Sequence, residues 1–127
     1  MTTESEVPSG SDRDAVMVEF ALILPILLML VVGIIEFGRA YNTQIALQGA
    51  AREGARALAL DESASTAVNS AAGGVAMSIS STSGCPDGNP DTAYASVTTS
   101  TQFTFGIPFV NLGTKTLNAT ASMRCGL

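Results

Sequence analysis

The stretch Ala15-Val16-Met17-Val18-Glu19-Phe20-Ala21-Leu22-Ile23-Leu24-Pro25-Ile26-Leu27-Leu28-Met29-Leu30-Val31-Val32-Gly33-Ile34-Ile35 decides the architecture. As a helix it is ~30 Å long, about the thickness of a bilayer's hydrocarbon core. Its one charged side chain is Glu19. A carboxylate in hydrocarbon is costly and needs a partner or a proton. Pro25 removes one backbone hydrogen bond and predicts a local kink, with neighbouring helices able to satisfy the freed carbonyl of Ala21.

Upstream, residues 1–14 are polar, with Pro8-Ser9-Gly10-Ser11 in the middle and no apolar period. They read as a disordered cytoplasmic tail or a removable leader. A secretory signal would pair a basic start with a shorter apolar run and a small-residue exit. Here the start is acidic and the run continues through Gly33, so an anchor kept in the product is expected. Orientation is contested within the sequence. Arg13 alone precedes the span, whereas Arg39, Arg52 and Arg56 follow it, which would put the C-terminal half in the cytoplasm. The cysteines and the Ser/Thr-rich composition of that half point the other way.

Those cysteines, Cys85 and Cys125, are the only two in the chain. In a Ser/Thr/Gly-rich region they suggest one disulfide in an oxidising, extracytoplasmic space; two free thiols are the plainer reading. A bridge would close a loop of about 40 residues and stabilise by ~3–4 kcal/mol. That matters because aromatic residues are few and Trp is absent, so the core of a domain this small is thin. The net charge of -5 comes from Glu4, Glu6, Asp12 and Asp14 against Arg13 before the span and from Asp61 and Glu62 after it. No basic stripe exists, which argues against a nucleic-acid partner.

Beyond Ile35 the helical pattern runs on to Leu60 without a stop signal. Small residues recur every fourth position, as Ala46, Ala50 and Gly54 and again as Ala51, Ala55 and Ala59. Such ridges admit close approach of other backbone, either within this chain's own domain or between subunits. Glu36 and Arg39 are spaced to pair on one face, as are Arg52 or Glu53 with Arg56. Asp61-Glu62-Ser63 breaks the run and supplies a cap. Ala64, Ala67, Val68, Ala71, Val75 and Ile79 then predict a second amphipathic helix, weakened by Gly73-Gly74. The turn formers from Ser83 to Asp91 make a loop.

From Tyr94 the period changes to two. Val97, Thr99, Thr101, Phe103 and Phe105 line one face of a strand that Gly106-Ile107-Pro108 ends. Leu117, Ala119, Ala121 and Met123 alternate in a second strand, giving a hairpin or part of a small antiparallel sheet with Cys125 at its end. The expected fold is α+β, in three parts: a polar leader or tail over 1–14, a transmembrane and extended helix over 15–60, and a small domain over 61–127.

No catalytic constellation can be assembled. Without histidine there is no Ser-His or Cys-His pair and no common zinc site. Asp87 and Asp91 flank turn residues but do not match an EF-hand loop. No glycine cluster cradles phosphate. Asn118-Ala119-Thr120 matches the glycosylation tripeptide but falls in a predicted strand. A non-enzymatic protein without metal or cofactor is the expectation.

The elements Arg13-Asp14-Ala15-Val16-Met17-Val18-Glu19-Phe20-Ala21-Leu22-Ile23-Leu24-Pro25, Glu36-Phe37-Gly38-Arg39-Ala40-Tyr41 and Ala51-Arg52-Glu53-Gly54-Ala55-Arg56 resemble TadE-like proteins. These are pseudopilins, or minor pilins, of the bacterial tight-adherence (Flp) pilus system. The resemblance implies a pilin-like fold and a single-pass protein of the bacterial cell membrane. Its N-terminus would lie inside and its C-terminal domain outside, against the arginine count. The implied partners are the membrane, other pilins and pilus assembly machinery met through the N-terminal helix, in a hetero-oligomer, and a prepilin peptidase. Cleavage between Asp14 and Ala15 would make Glu19 the fifth mature residue. Glu19 would then pair with the free N-terminal ammonium of an adjacent subunit. The family usually has glycine where this chain has Asp14. That departure keeps a second reading open, an unprocessed single-pass anchor with a structural or adhesive role.

Overall fold

The computed structural model describes residues 10–85 and 93–126. The chain divides into two compact units, Met1–Ile35 and Glu36–Leu127, and one helix, α1 (Gly10–Ala59), contributes to both.

In the first unit α1 begins five residues before the apolar run, so residues 10–14 are helical where a disordered leader was expected. Once an apolar segment has nucleated a helix, each added residue costs little, and Asp12 in the first turn complements the helix dipole. Residues 1–9 of the same expected leader lie outside the described residues. The helix is continuous through Pro25. No side chain from Val16 to Ile35 is buried within the chain, and among the described residues only α1 is long and apolar enough to cross a membrane. An unbroken helix with its apolar surface bare on every side is what a membrane span requires, because all its backbone bonds are internal.

The second unit holds the rest of α1, α2 (Ala64–Ala71), β1 (Ser78–Ser83), β2 (Tyr94–Thr104) and β3 (Thr114–Arg124). The α1 C-terminus closes as a Schellman motif: Asp61 takes the left-handed conformation (φ 60), the Glu62 N–H donates to Ala57 O at 2.7 Å, and the Asp61 N–H donates to Leu58 O at 3.2 Å. Ser63 caps α2, its hydroxyl accepting from the Thr66 N–H. The second helix is shorter than the apolar spacing predicts. Gly73 (φ 59) and Gly74 (φ 86) turn the chain left-handed, so Val75 and Ile79 leave the helix.

Ile79 instead belongs to β1, a strand whose Ser-rich sequence has no apolar alternation to announce it. The three strands form an antiparallel sheet in the order β1-β2-β3, where the sequence pattern had revealed only two. β2 and β3 pair without interruption from Tyr94↔Arg124 to Thr104↔Thr114, while β1 carries an irregularity between Ile79 and Ser81. The period-two reading of β2 holds: Ala95, Val97, Thr99 and Phe103 are buried on one face. The opposite face is hydroxylated, with Thr98–Thr120 and Thr104–Thr114 pairs at 2.8 and 3.0 Å.

The core gathers Ala50 and Ala55 of α1, Ala64 and Val68 of α2 and Val97 of β2. Alanine dominates it, so its packing depends on backbone approach more than on side-chain bulk. The small-residue ridge of α1 is therefore spent inside this unit, where Ala50, Ala51, Gly54 and Ala55 are all buried. A second cluster joins Ala93, Ala95 and Cys125, with Cys85 against it. Cys85 and Cys125 are bonded, their Cα atoms 5.8 Å apart and 40 positions apart in sequence. Closing a loop of this length removes ~4 kcal/mol of chain entropy from the unfolded state.

A Cβ built on Gly54 would lie 2.7 Å from Val68 Cγ2 and 3.2 Å from Val97 Cγ1, both on stiff β-branched side chains. Gly49, in the same helix, has nothing within 4 Å. Thus Gly54→Ala is expected to destabilise by about 1–2 kcal/mol net, the overpacking outweighing the better helix propensity. Gly49→Ala is expected to stabilise by up to ~1 kcal/mol. Denaturant unfolding of the two variants checks the opposite signs.

Candidate functional site

Two groups of residues carry chemistry beyond packing. The first lies on the N-terminal part of α1. Asp14 and Ala15 sit in its second turn, exposed, and Glu19 is exposed one turn further along. Ala15 and Glu19 are four residues apart, so they share a helix face. Glu19 has no basic partner among the described residues. Pro25 follows on the same helix, likewise exposed.

The second group is built around Glu36, the first residue after the apolar run. It is buried, and both of its oxygens are engaged. Oε1 accepts from Arg39 Nη1 at 2.8 Å, and Oε2 accepts from the Gly106 N–H at 3.0 Å. The Arg39 partner is the one that its i,i+3 spacing predicts. The Gly106 amide, seventy positions away, has no sequence signal. It is the N–H just past the end of β2, where the ladder no longer supplies an acceptor. Arg39 also lies over the Phe103 ring, 5.6 Å from its centroid, and Phe103 meets Phe105 edge-on at 5.0 Å. One carboxylate thus ties helix, arginine and strand end together.

The Gly106 N–H holds the Glu36 carboxyl below its ordinary value of 4.5, and the Arg39 hydrogen bond and charge act in the same direction, against a smaller opposing effect of burial. The pair expected for Arg56 with Arg52 or Glu53 does not form among the described residues. Further along α1, the buried Thr99 hydroxyl donates to Leu47 O at 2.9 Å, and Gln44 Nε2 donates to Asn118 O at 2.8 Å. The threonine had one legible sign, a hydroxyl on an otherwise apolar strand face. Asn118 of the glycosylation tripeptide lies within β3, its carbonyl engaged by Gln44.

Residues 15–56 form a TadE-like segment: they match the family model described as TadE-like protein. No curated protein and no solved structure matches the chain. The TadE-like segment contains Glu19, Pro25, Glu36, Arg39 and Gly54, so both groups of residues fall within it. Its Glu-Phe-Gly-Arg element has a direct structural account. Glu36 and Arg39 hold the end of β2, while Phe37 between them is exposed. Among the described residues no group of three or more His, Cys, Asp or Glu side chains could hold a metal ion. Asp87 and Asp91 lie outside the described residues.

Because its folded pKa is lowered, Glu36 contributes stability that is in place above the ordinary carboxylate value and is lost as pH falls through the lowered one. Glu36→Gln is therefore expected to unfold at lower temperature than the parent at pH 7. The gap should close as pH falls from the ordinary carboxylate value through the lowered one, where the parent carboxyl also becomes neutral. Thermal unfolding of both proteins across that range measures it.

Proposed function

We propose that this chain is a non-enzymatic, pilin-like subunit that takes part in assembling or priming a tight-adherence pilus. The observation that carries the reading is the TadE-like match over residues 15–56, which includes a lone carboxylate in a membrane-length apolar helix. A filament subunit needs such a helix twice, first as an anchor in the bilayer and then as the strand of a helical core. In either setting Glu19 is too costly to leave bare, and a cation from a neighbouring subunit would compensate it. The ammonium freed by cleavage before Ala15 is the group of the right charge, because hydrolysis creates it on the same apolar helix. Under this reading the C-terminal unit is extracytoplasmic, in keeping with its Cys85–Cys125 bridge, since oxidising compartments preserve such bonds. Neighbouring pilins, assembly machinery and a prepilin peptidase are its partners.

Asp14 favours a second reading, in which the chain stays unprocessed as a single-pass structural or adhesive anchor. A charged, branched side chain then stands where the peptidase would accommodate glycine, and Glu19 resides in the bilayer protonated or paired with another protein.

Mass measurement of the protein extracted from its native membrane decides between them. A product beginning at Ala15 is expected from the pilin reading; an intact start at Met1 or Thr2 would establish the anchor. Glu19→Ala should leave membrane insertion unchanged and abolish or strongly reduce incorporation into pili, measured by immunoblot of sheared filaments. Normal filaments from cells relying on Glu19→Ala would overturn the pairing.

A further inference from the structure

We propose that the β2–β3 loop, residues 105–113, is a second membrane contact that seats its apolar tip in the lipid headgroup layer beside the point where the chain leaves the span. This rests on reading residues 15–35 as a membrane helix. Three independent observations carry it.

The first is the tip itself. Phe109 is 99% exposed and the neighbouring Val110 and Leu112 are also exposed, in a loop that contains no charged residue. Phe105, Ile107, Phe109, Val110 and Asn111 line an open cleft of about 310 Å³. Phe109 has φ 65, a conformation that a bulky side chain adopts only at a cost. The chain thus bears backbone strain to present an aromatic ring to its surroundings, and that ring is almost wholly exposed among the described residues.

The second is position. Gly106, at the root of the loop, donates to Glu36, and Glu36 follows the apolar run directly in the sequence. Three residues reach at most ~10 Å, so Phe109 lies within about that distance of Gly106. The polar layer on each side of a bilayer is ~5–8 Å thick. The tip is therefore held within reach of this layer, where aromatic side chains partition best.

The third is charge. Between Ala93 and Gly126 there is no Asp or Glu, and the exposed Lys115 pairs in register with Phe103 at the base of the loop. An apolar tip above a cationic base is the pattern that anionic lipid surfaces attract. The lipid surface is favoured over a neighbouring subunit because the Gly106–Glu36 bond holds the root of the loop beside the residue that follows the apolar run in sequence, and the loop itself carries no charge.

The chain has no tryptophan, so a single indole reports its own surroundings. Full-length Phe109→Trp, reconstituted at low protein density in phosphatidylglycerol/phosphatidylethanolamine vesicles, is compared with Tyr94→Trp. Tyr94 is exposed at the opposite end of β2, ~33 Å from the loop. The expected result is a blue-shifted Phe109→Trp emission that loses intensity when the lipids are brominated near the headgroup, with Tyr94→Trp unshifted and unquenched. Leu112→Trp repeats the measurement should the first variant fold poorly. Three outcomes would overturn the proposal: no quenching at either loop position, equal quenching of Tyr94→Trp, or a blue shift without quenching, which would assign the tip to a protein neighbour. Alkaline extraction of the same vesicles reads insertion of the span separately, so loss of the span reading is distinguishable from loss of the loop contact.

Discussion

The close approach of α1 to α2 and to the sheet at Gly54 governs the C-terminal unit. Val68 and Val97 occupy the space that a Cβ would need, and Ala50, Ala51 and Ala55 continue the same flat surface along α1. With few aromatic side chains in the chain, burial has to come from bringing backbones near each other. Short distances recover dispersion contacts that larger side chains would otherwise supply. The same closeness lets the Thr99 hydroxyl reach the Leu47 carbonyl inside the apolar layer. The disulfide then adds what so thin a core lacks, acting through the unfolded chain where packing acts through the folded one.

Glu36 extends this arrangement to the edge of the domain. Its carboxylate engages a side chain one helical turn away and a backbone amide seventy residues away, so one group aligns the start of the domain helix with the end of the central strand. Its place in the TadE-like segment gives the Glu-Phe-Gly-Arg element a physical meaning, the tie between α1 and the end of β2. Glu19 is its counterpart within the span. Glu36 finds its compensation inside the chain, whereas Glu19 has no basic partner among the described residues, and that difference separates a carboxylate satisfied by the fold from one that the fold leaves uncompensated.

Much of this is legible in the sequence, and what is not has definite physical causes. The span, the continuation of α1 past Ile35, the Glu36–Arg39 pair and the alternating strands β2 and β3 all rest on local periodicity, which a sequence displays directly. Apolar spacing carries the second helix too far because Val75 and Ile79 keep a helical period, while the left-handed Gly73 and Gly74 end the helix before them. Strand β1 carries no such signal because SISSTS is an edge segment with one apolar residue, and its pairing with β2 supplies what its composition does not.

By itself the sequence determined a single membrane-length helix with an uncompensated charge at Glu19, an alanine-rich surface along α1 and a C-terminal half with a period of two. These are properties of neighbouring residues in the chain, and hydrophobic spacing encodes them. Only the tertiary structure decided which contacts use that surface. It assigned Gly54 to Val68 and Val97, the second oxygen of Glu36 to the Gly106 amide, and the exposed ring of Phe109 to the loop that this amide begins. Each joins residues far apart in the chain. Such pairings depend on where the backbone passes, and local periodicity carries no record of that.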